Sequence, residues 1–300
     1  MTVPRPGPPP LGDRTLVLDG GLSNQLRAQG CDLSDPLWSA RLLVEDPAQL
    51  RAAHAAYLRA GARVLITGSY QASFEGFAGR GIGRAAAAGL FRASVDLARD
   101  AAAGHGEQVW VAGSVGPYGA VRADGGEYRG RYGLSVAELT RFHRPRVAAL
   151  AEAGPDLLAL ETVPDVTEAE ALLRAVAGCG LPVWLSYTIA GQATRAGQPL
   201  AEAFALAAGN DQVVAVGVNC CAPEEVTAAA ACAAAVSGKP VVAYPNGGEA
   251  WDPAARRWVG PATFDPERAL DWRRAGARLI GGCCRVGPDR IAGLAAALGR

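Results

Sequence analysis

Val213-Val214-Ala215-Val216-Gly217-Val218-Asn219-Cys220 is an apolar run that does not alternate with polar residues and then turns polar at its end. A strand with water on one face alternates, whereas a parallel strand covered by helices on both faces does not. Comparable β-rich runs fall at residues 15–18, 63–67, 109–112, 157–160, 182–186, 240–244 and 278–280. Between them, apolar residues recur at helical spacings of three and four, most clearly at 48–60, 85–103, 136–153 and 168–176. An alanine-rich stretch at 227–236 and a last one at 291–298 complete the series. Ser135, Asp165 with Thr167, and Pro288-Asp289 mark helix starts, and Gly61, Gly154 and Gly276 stand where left-handed C-caps are common. Eight strands alternating with helices is the count of an α/β fold of the (β/α)8 TIM-barrel type. It is expected as a single domain over residues 14–300, after a flexible segment 1–13 rich in proline and glycine. A doubly wound open sheet is the competing arrangement.

The 300 residues are 50% hydrophobic and 19% charged with a net charge of zero, so charge gives no case for nucleic acid or an anionic membrane as partner. No apolar run approaches the ~20 residues that span a bilayer, and the N-terminus lacks a signal-peptide apolar core. The expected location is cytoplasmic. Seven cysteines, an odd number in a chain without a secretion signal, read as thiols or metal ligands rather than a disulfide framework.

Catalytic groups of a barrel come from the C-terminal ends of its strands. Those ends are Asp19-Gly20-Gly21, Thr67-Gly68-Ser69, Gly113-Ser114-Val115-Gly116, Glu161-Thr162, Ser186-Tyr187-Thr188, Asn219-Cys220, Tyr244-Pro245-Asn246 and Gly281-Gly282-Cys283-Cys284. All turn polar or glycine-rich, and two carry cysteines. Neighbouring side chains on a regular strand point to opposite faces, and Gly281-Gly282 is expected to relax that limit through backbone angles other residues avoid. Thiolates of Cys220, Cys283 and Cys284 would then make a zinc site with one coordination position free, the mark of a catalytic rather than a structural zinc. Cys31, Cys179 and Cys232 fall in helical or loop segments and read as packing residues. Cys221 would tend to point away from Cys220, yet it is the available fourth ligand if the site were structural. Asp19 could instead shape a turn, and Glu161 could cap a helix. His54, His105 and His143 lie away from every strand end and read as surface or packing residues. The glycine-rich loops 68–83 and 113–133 are expected to cover the barrel mouth.

The segments Leu18-Asp19-Gly20-Gly21, Ile66-Thr67-Gly68-Ser69-Tyr70-Gln71-Ala72-Ser73, Gly113 to Tyr118, Leu160-Glu161-Thr162, Gly217-Val218-Asn219-Cys220, Tyr244-Pro245-Asn246 and Gly281-Gly282-Cys283-Cys284 run in order across nearly the whole chain. In these the sequence resembles the zinc-dependent homocysteine S-methyltransferases. The resemblance implies that Cys220, Cys283 and Cys284 hold one Zn2+ and that no further catalytic residue is needed. It implies that Asp19, Gly20, Thr67 and Glu161, with Asn219 beside the first cysteine, bind the amino-acid substrate. The reaction it implies moves a methyl group from a sulfonium donor, S-methylmethionine or S-adenosylmethionine, to L-homocysteine, giving methionine. A thioether leaving group needs no proton, which suits strand ends without histidine. Trp38, Tyr70, Phe74 and Tyr118 are the aromatic candidates for a cationic donor. Gly68 stands where family members differ. The chain stops one helix after the cysteine pair, so no folate or cobalamin domain, nor the C-terminal extension of betaine-using relatives, is expected. Selenocysteine or another small thiol as acceptor, a purely structural zinc, and a redox switch at Cys283-Cys284 are the alternatives.

Overall fold

The computed structural model of the chain describes residues 7–12, 14–35, 37–122, 124–252 and 257–299, excluding the side chains at positions 38, 250–252, 257 and 258. Strands β1 (Leu16–Val17), β2 (Val64–Ile66), β3 (Trp110–Val115), β4 (Leu157–Val163), β5 (Val183–Tyr187), β6 (Val213–Asn219), β7 (Val241–Tyr244) and β8 (Ala277–Ile280) form one sheet in which each neighbours the next in sequence. All pairings are parallel, and β1 also pairs with β8 (Leu16 with Leu279, Val17 with Ile280). A parallel bridge between Leu18 and Val64, with Arg63 N donating to Val17 O (2.8 Å), closes β1 onto β2. The sheet is therefore the expected (β/α)8 barrel and not an open doubly wound sheet.

Strand periodicity sorts the core into two shells. Leu157 and Ala159 face the barrel interior with Trp110, Ala112, Trp184, Ala215, Val242 and Leu279, whereas Leu158 and Leu160 face the helices. The same alternation carries Glu161, two residues past Ala159, onto the inner face at the barrel mouth. The absence of polar alternation in the sequence thus reflects burial on both faces.

The helices begin and end where their capping residues stand. Ser135 and Glu138 form a reciprocal capping box at Val136–Ala153, and Asp165 Oδ1 accepts from Thr167 N (2.8 Å) at the start of Val166–Val176. Gly61, Gly154 and Gly276 all have positive φ. Short helices not evident in the sequence pattern, Leu22–Ala28, Phe74–Ala78, Tyr118–Arg122, Leu200–Ala205 and Arg268–Arg274, all have seven residues or fewer, too short to show a period. Two of them lie within the loops 68–83 and 113–133.

Residues 7–12, part of the segment expected to be flexible, lie across the N-terminal end of the barrel. Trp110 Nε1 donates to Gly7 O (3.2 Å), Arg278 Nε to Gly12 O (3.0 Å), and Leu11 packs on the interior cluster. Residues 1–6 and 13 lie outside the described residues. Among the described residues, no helix is long and apolar enough to cross a membrane.

His54 is fully buried in the helix Pro47–Arg59, and neither ring nitrogen has a hydrogen-bond partner. Burial pushes its pKa down to about 4 from an ordinary 6.5. Between those values the unfolded chain binds a proton that the folded chain refuses, so stability is full above pH 6.5 and falls as pH drops toward 4. The expected loss is about 3 kcal/mol across that window. Denaturant unfolding at pH 7 and pH 4.5 isolates this contribution by difference: the drop in pH should cost wild type about 2 kcal/mol more than His54→Leu, because Glu127 and Glu161, which burial raises to about 7, contribute with the opposite sign but equally to both proteins.

Candidate metal centre

The three sulfurs of Cys220, Cys283 and Cys284 converge at the barrel mouth, all within 4.8 Å of one another. Cys220 Sγ lies 3.2 Å from Cys283 Sγ and 3.8 Å from Cys284 Sγ. Two thiolates on a tetrahedral zinc with Zn–S of about 2.3 Å stand about 3.8 Å apart, so the spacing and the all-sulfur donor set fit that ion. Among the described residues no fourth His, Cys, Asp or Glu joins the group. Cys221 is buried in the outer apolar shell between strands and helices, not beside the other three.

The convergence is achieved differently from the sequence expectation. Neither Gly281 nor Gly282 has a positive φ; that conformation falls on Cys220 (53°) and Arg285 (68°). On β6, Val216 and Val218 face outward, so a regular continuation would turn Cys220 outward too. Its left-handed backbone redirects the thiol to the mouth, held by Cys220 N donating to Tyr244 O (3.2 Å) and by Thr188 Oγ1 donating to Cys220 O (3.1 Å). The glycines supply room instead. A Cβ on Gly281 would lie 2.5 Å from Leu18 Cβ, and one on Gly282 only 2.2 Å from Val286 Cγ1. The segment after β8 is stitched to both neighbours, with Gly282 N donating to Asp19 O (3.1 Å) and Cys283 N to Pro245 O (2.7 Å).

A cavity of about 110 Å³ opens over the sulfurs. Asp19, Gly20, Thr67 and Glu161 line it, as does Tyr70. Asp19 Oδ2 accepts from Ile66 N (2.8 Å), while Oδ1 is buried without a partner. Thr67 Oγ1 accepts from Ser114 N (2.9 Å) and shares a hydrogen bond with Ser69 Oγ (2.8 Å). Glu161 accepts from Ser114 Oγ and from Tyr244 OH (3.0 Å). Burial raises Asp19 well above the usual carboxylate range and Glu161 to about 7, against the hydrogen bonds that lower both. Among the described residues, no Lys, Arg or His lines the cavity.

Asn219 does not line it. Its Oδ1 accepts from Thr162 N (2.7 Å) and Ser186 Oγ (2.8 Å), and its Nδ2 donates to Thr162 Oγ1 (2.7 Å). Thr162 has φ of 58°, a strained value for a β-branched residue, and Asn219 holds it there. Asn219 therefore positions the turn after Glu161. Phe74 packs on Phe91, and Tyr118 on Tyr132 and Phe142, so neither lines the cavity; the Trp38 side chain lies outside the described residues. His143 is buried and bonded to Glu168 Oε1 (2.9 Å), away from the sulfurs.

The loop 113–133 does reach over the mouth. It adds two lining residues that pattern reading missed, Glu127 and Tyr128, on the turn Gly126–Tyr128. Tyr128 OH lies 3.4 Å from Cys220 Sγ. The available signal was a lone aromatic-acidic pair in a glycine-rich loop already expected at the mouth.

The sequence model of the homocysteine S-methyltransferase family matches residues 16–298. A homocysteine S-methyltransferase of Escherichia coli K12 is 46% identical over 94% of this chain and 94% of its own length. Homocysteine S-methyltransferase YbgG of Bacillus subtilis is 40% identical, over 94% of this chain and 93% of its own. The crystal structure of the metallated form of the homocysteine methyltransferase MmuM from Escherichia coli superposes with a TM-score of 0.84 at 45% identity, covering 94% of this chain and 96% of that one.

Proposed function

This chain belongs to the homocysteine S-methyltransferase family, and from that premise we propose that it transfers a methyl group from S-methylmethionine or S-adenosylmethionine to L-homocysteine, with one zinc ion held by Cys220, Cys283 and Cys284. The observation that carries this reading is a cavity lined, among the described residues, by acidic groups and three thiols but by no cationic side chain. Such a cavity suits a metal ion and substrates that bring positive charge with them. When bound, zinc supplies the positive charge that keeps the acceptor thiol ionised at neutral pH.

The chain's own residues bind and orient. Asp19, with one oxygen unpartnered, and Glu161, fixed by Ser114 and Tyr244, receive the ammonium group of homocysteine. An opposite charge bound against them favours the carboxylate form and so opposes the upward shift that burial imposes. Holding the amino-acid end fixes the sulfur relative to the donor methyl. A bond forms between the homocysteine sulfur and the methyl carbon, and the sulfonium carbon–sulfur bond breaks. Its electron pair stays on the donor sulfur, which departs as a neutral thioether, and the acceptor's thiol proton passes to solvent. With S-methylmethionine, both products are methionine. No side chain has to act as a general acid.

The test is methionine formation by reduced, zinc-loaded protein from homocysteine with each donor in turn. Failure with both donors by protein shown to hold zinc would overturn the proposal. In the same assay Glu161→Gln should raise the KM for homocysteine about 10- to 100-fold while zinc content is unchanged, the expected loss of one charge-assisted hydrogen bond.

A further inference from the structure

Asp19 and Glu161 account for one ammonium group, yet the cavity presents a third carboxyl. Glu127 sits on the turn Gly126–Tyr128, its Oε2 buried and without a hydrogen-bond partner. The turn is rigidly seated. Asp124 Oδ1 accepts from Gly126 N (2.9 Å), Gly130 N donates to Gly126 O (2.9 Å), and a Cβ on Gly119 would meet Glu127 N at 2.4 Å. Burial pushes Glu127 up to about 7. Its charged neighbours are Cys220, Asp124 and Arg129, whereas Asp19 feels Glu161. Asp19 and Glu161 come from the ends of β1 and β4, whereas Glu127 comes from the loop after β3, beside the Tyr128 that touches Cys220.

Both candidate donors carry two positive centres, a sulfonium and an α-ammonium. A carboxylate against the sulfonium would stabilise charge that disappears in the transition state and so would slow the reaction. Against the ammonium, whose charge is constant throughout, it binds ground state and transition state alike. We propose that Glu127 is the donor-selecting residue, receiving the α-ammonium group of the sulfonium donor. This rests on the methyl-transfer reading above and assigns the second substrate its own charged partner.

The experiment is steady-state kinetics of reduced, zinc-loaded Glu127→Gln with S-methylmethionine, and with 3-(dimethylsulfonio)propionate as a sulfonium lacking the amino group. The KM for S-methylmethionine should rise about 10- to 100-fold, with kcat and the KM for homocysteine within about twofold of wild type. The preference for S-methylmethionine over the amino-free sulfonium should fall by the same factor, and Glu127→Asp should recover part of it. A merely structural role would lower kcat with every substrate and would not move that preference. Methionine formation with an unchanged preference in Glu127→Gln, or a rise confined to the KM for homocysteine, overturns this inference alone. No methionine from zinc-loaded wild type overturns the methyl-transfer reading and this inference with it.

Discussion

Cys220→Ser protein should hold no zinc after dialysis and should form methionine at least on the order of 10³-fold more slowly than wild type. An unassisted thiol with pKa near 8.5 is only about 3% ionised at pH 7, which already forfeits roughly 30-fold in nucleophile concentration. Loss of the fixed position of the acceptor sulfur accounts for the remainder. Serine preserves the volume and the left-handed backbone of Cys220 less demandingly than any larger residue, so the barrel should persist. Metal content by atomic absorption, activity, and a circular dichroism spectrum matching wild type check the three parts together. Full activity in a zinc-free variant would remove Cys220 from the site.

Gly217→Ala should be among the most destabilising single substitutions in the chain, by at least about 4 kcal/mol. An alanine Cβ at Gly217 would lie 1.9 Å from Val242 O and 2.9 Å from Val242 C, and those are backbone atoms of β7. A flexible side chain could swing aside; a strand held on both edges cannot. β7 is paired with β6 and β8, so any retreat breaks ladder hydrogen bonds on two sides. Because Gly217 lies three residues before Cys220, protein that survives should also lose zinc affinity. Urea unfolding, or soluble yield where unfolding is irreversible, gives the measurement, and a midpoint within error of wild type would refute the packing argument.

The architecture was largely legible because buried parallel strands leave a direct mark in composition, runs such as 213–218 with no polar alternation. Eight such runs ending in polar residues were enough to place Asp19, Thr67, Glu161 and the cysteines at one mouth. The local means of convergence was not legible. Left-handed backbone at Thr162 and Cys220 runs against their residue preferences, and only the tertiary contacts of Asn219, Tyr244 and Thr188 impose it. Glycine at 281 and 282 was read for its angles when its value is its missing Cβ, a distinction that depends on what lies opposite. Glu127 escaped because a loop carries no periodicity to say which side chain turns inward.

The reciprocal bonds between Asn219 and Thr162 bear on how this protein can vary. Asn219 accepts from the Thr162 backbone and donates to its hydroxyl, while both are shut away from water. Exchange of either residue alone strands a donor or acceptor that solvent cannot rescue. The two positions, 57 residues apart in the chain, are thus one unit of inheritance. Asn219 also accepts from Ser186 Oγ, so a substitute at 219 has to serve both neighbours, and a mutational library that samples these sites singly would record separate intolerant positions where there is one coupled group.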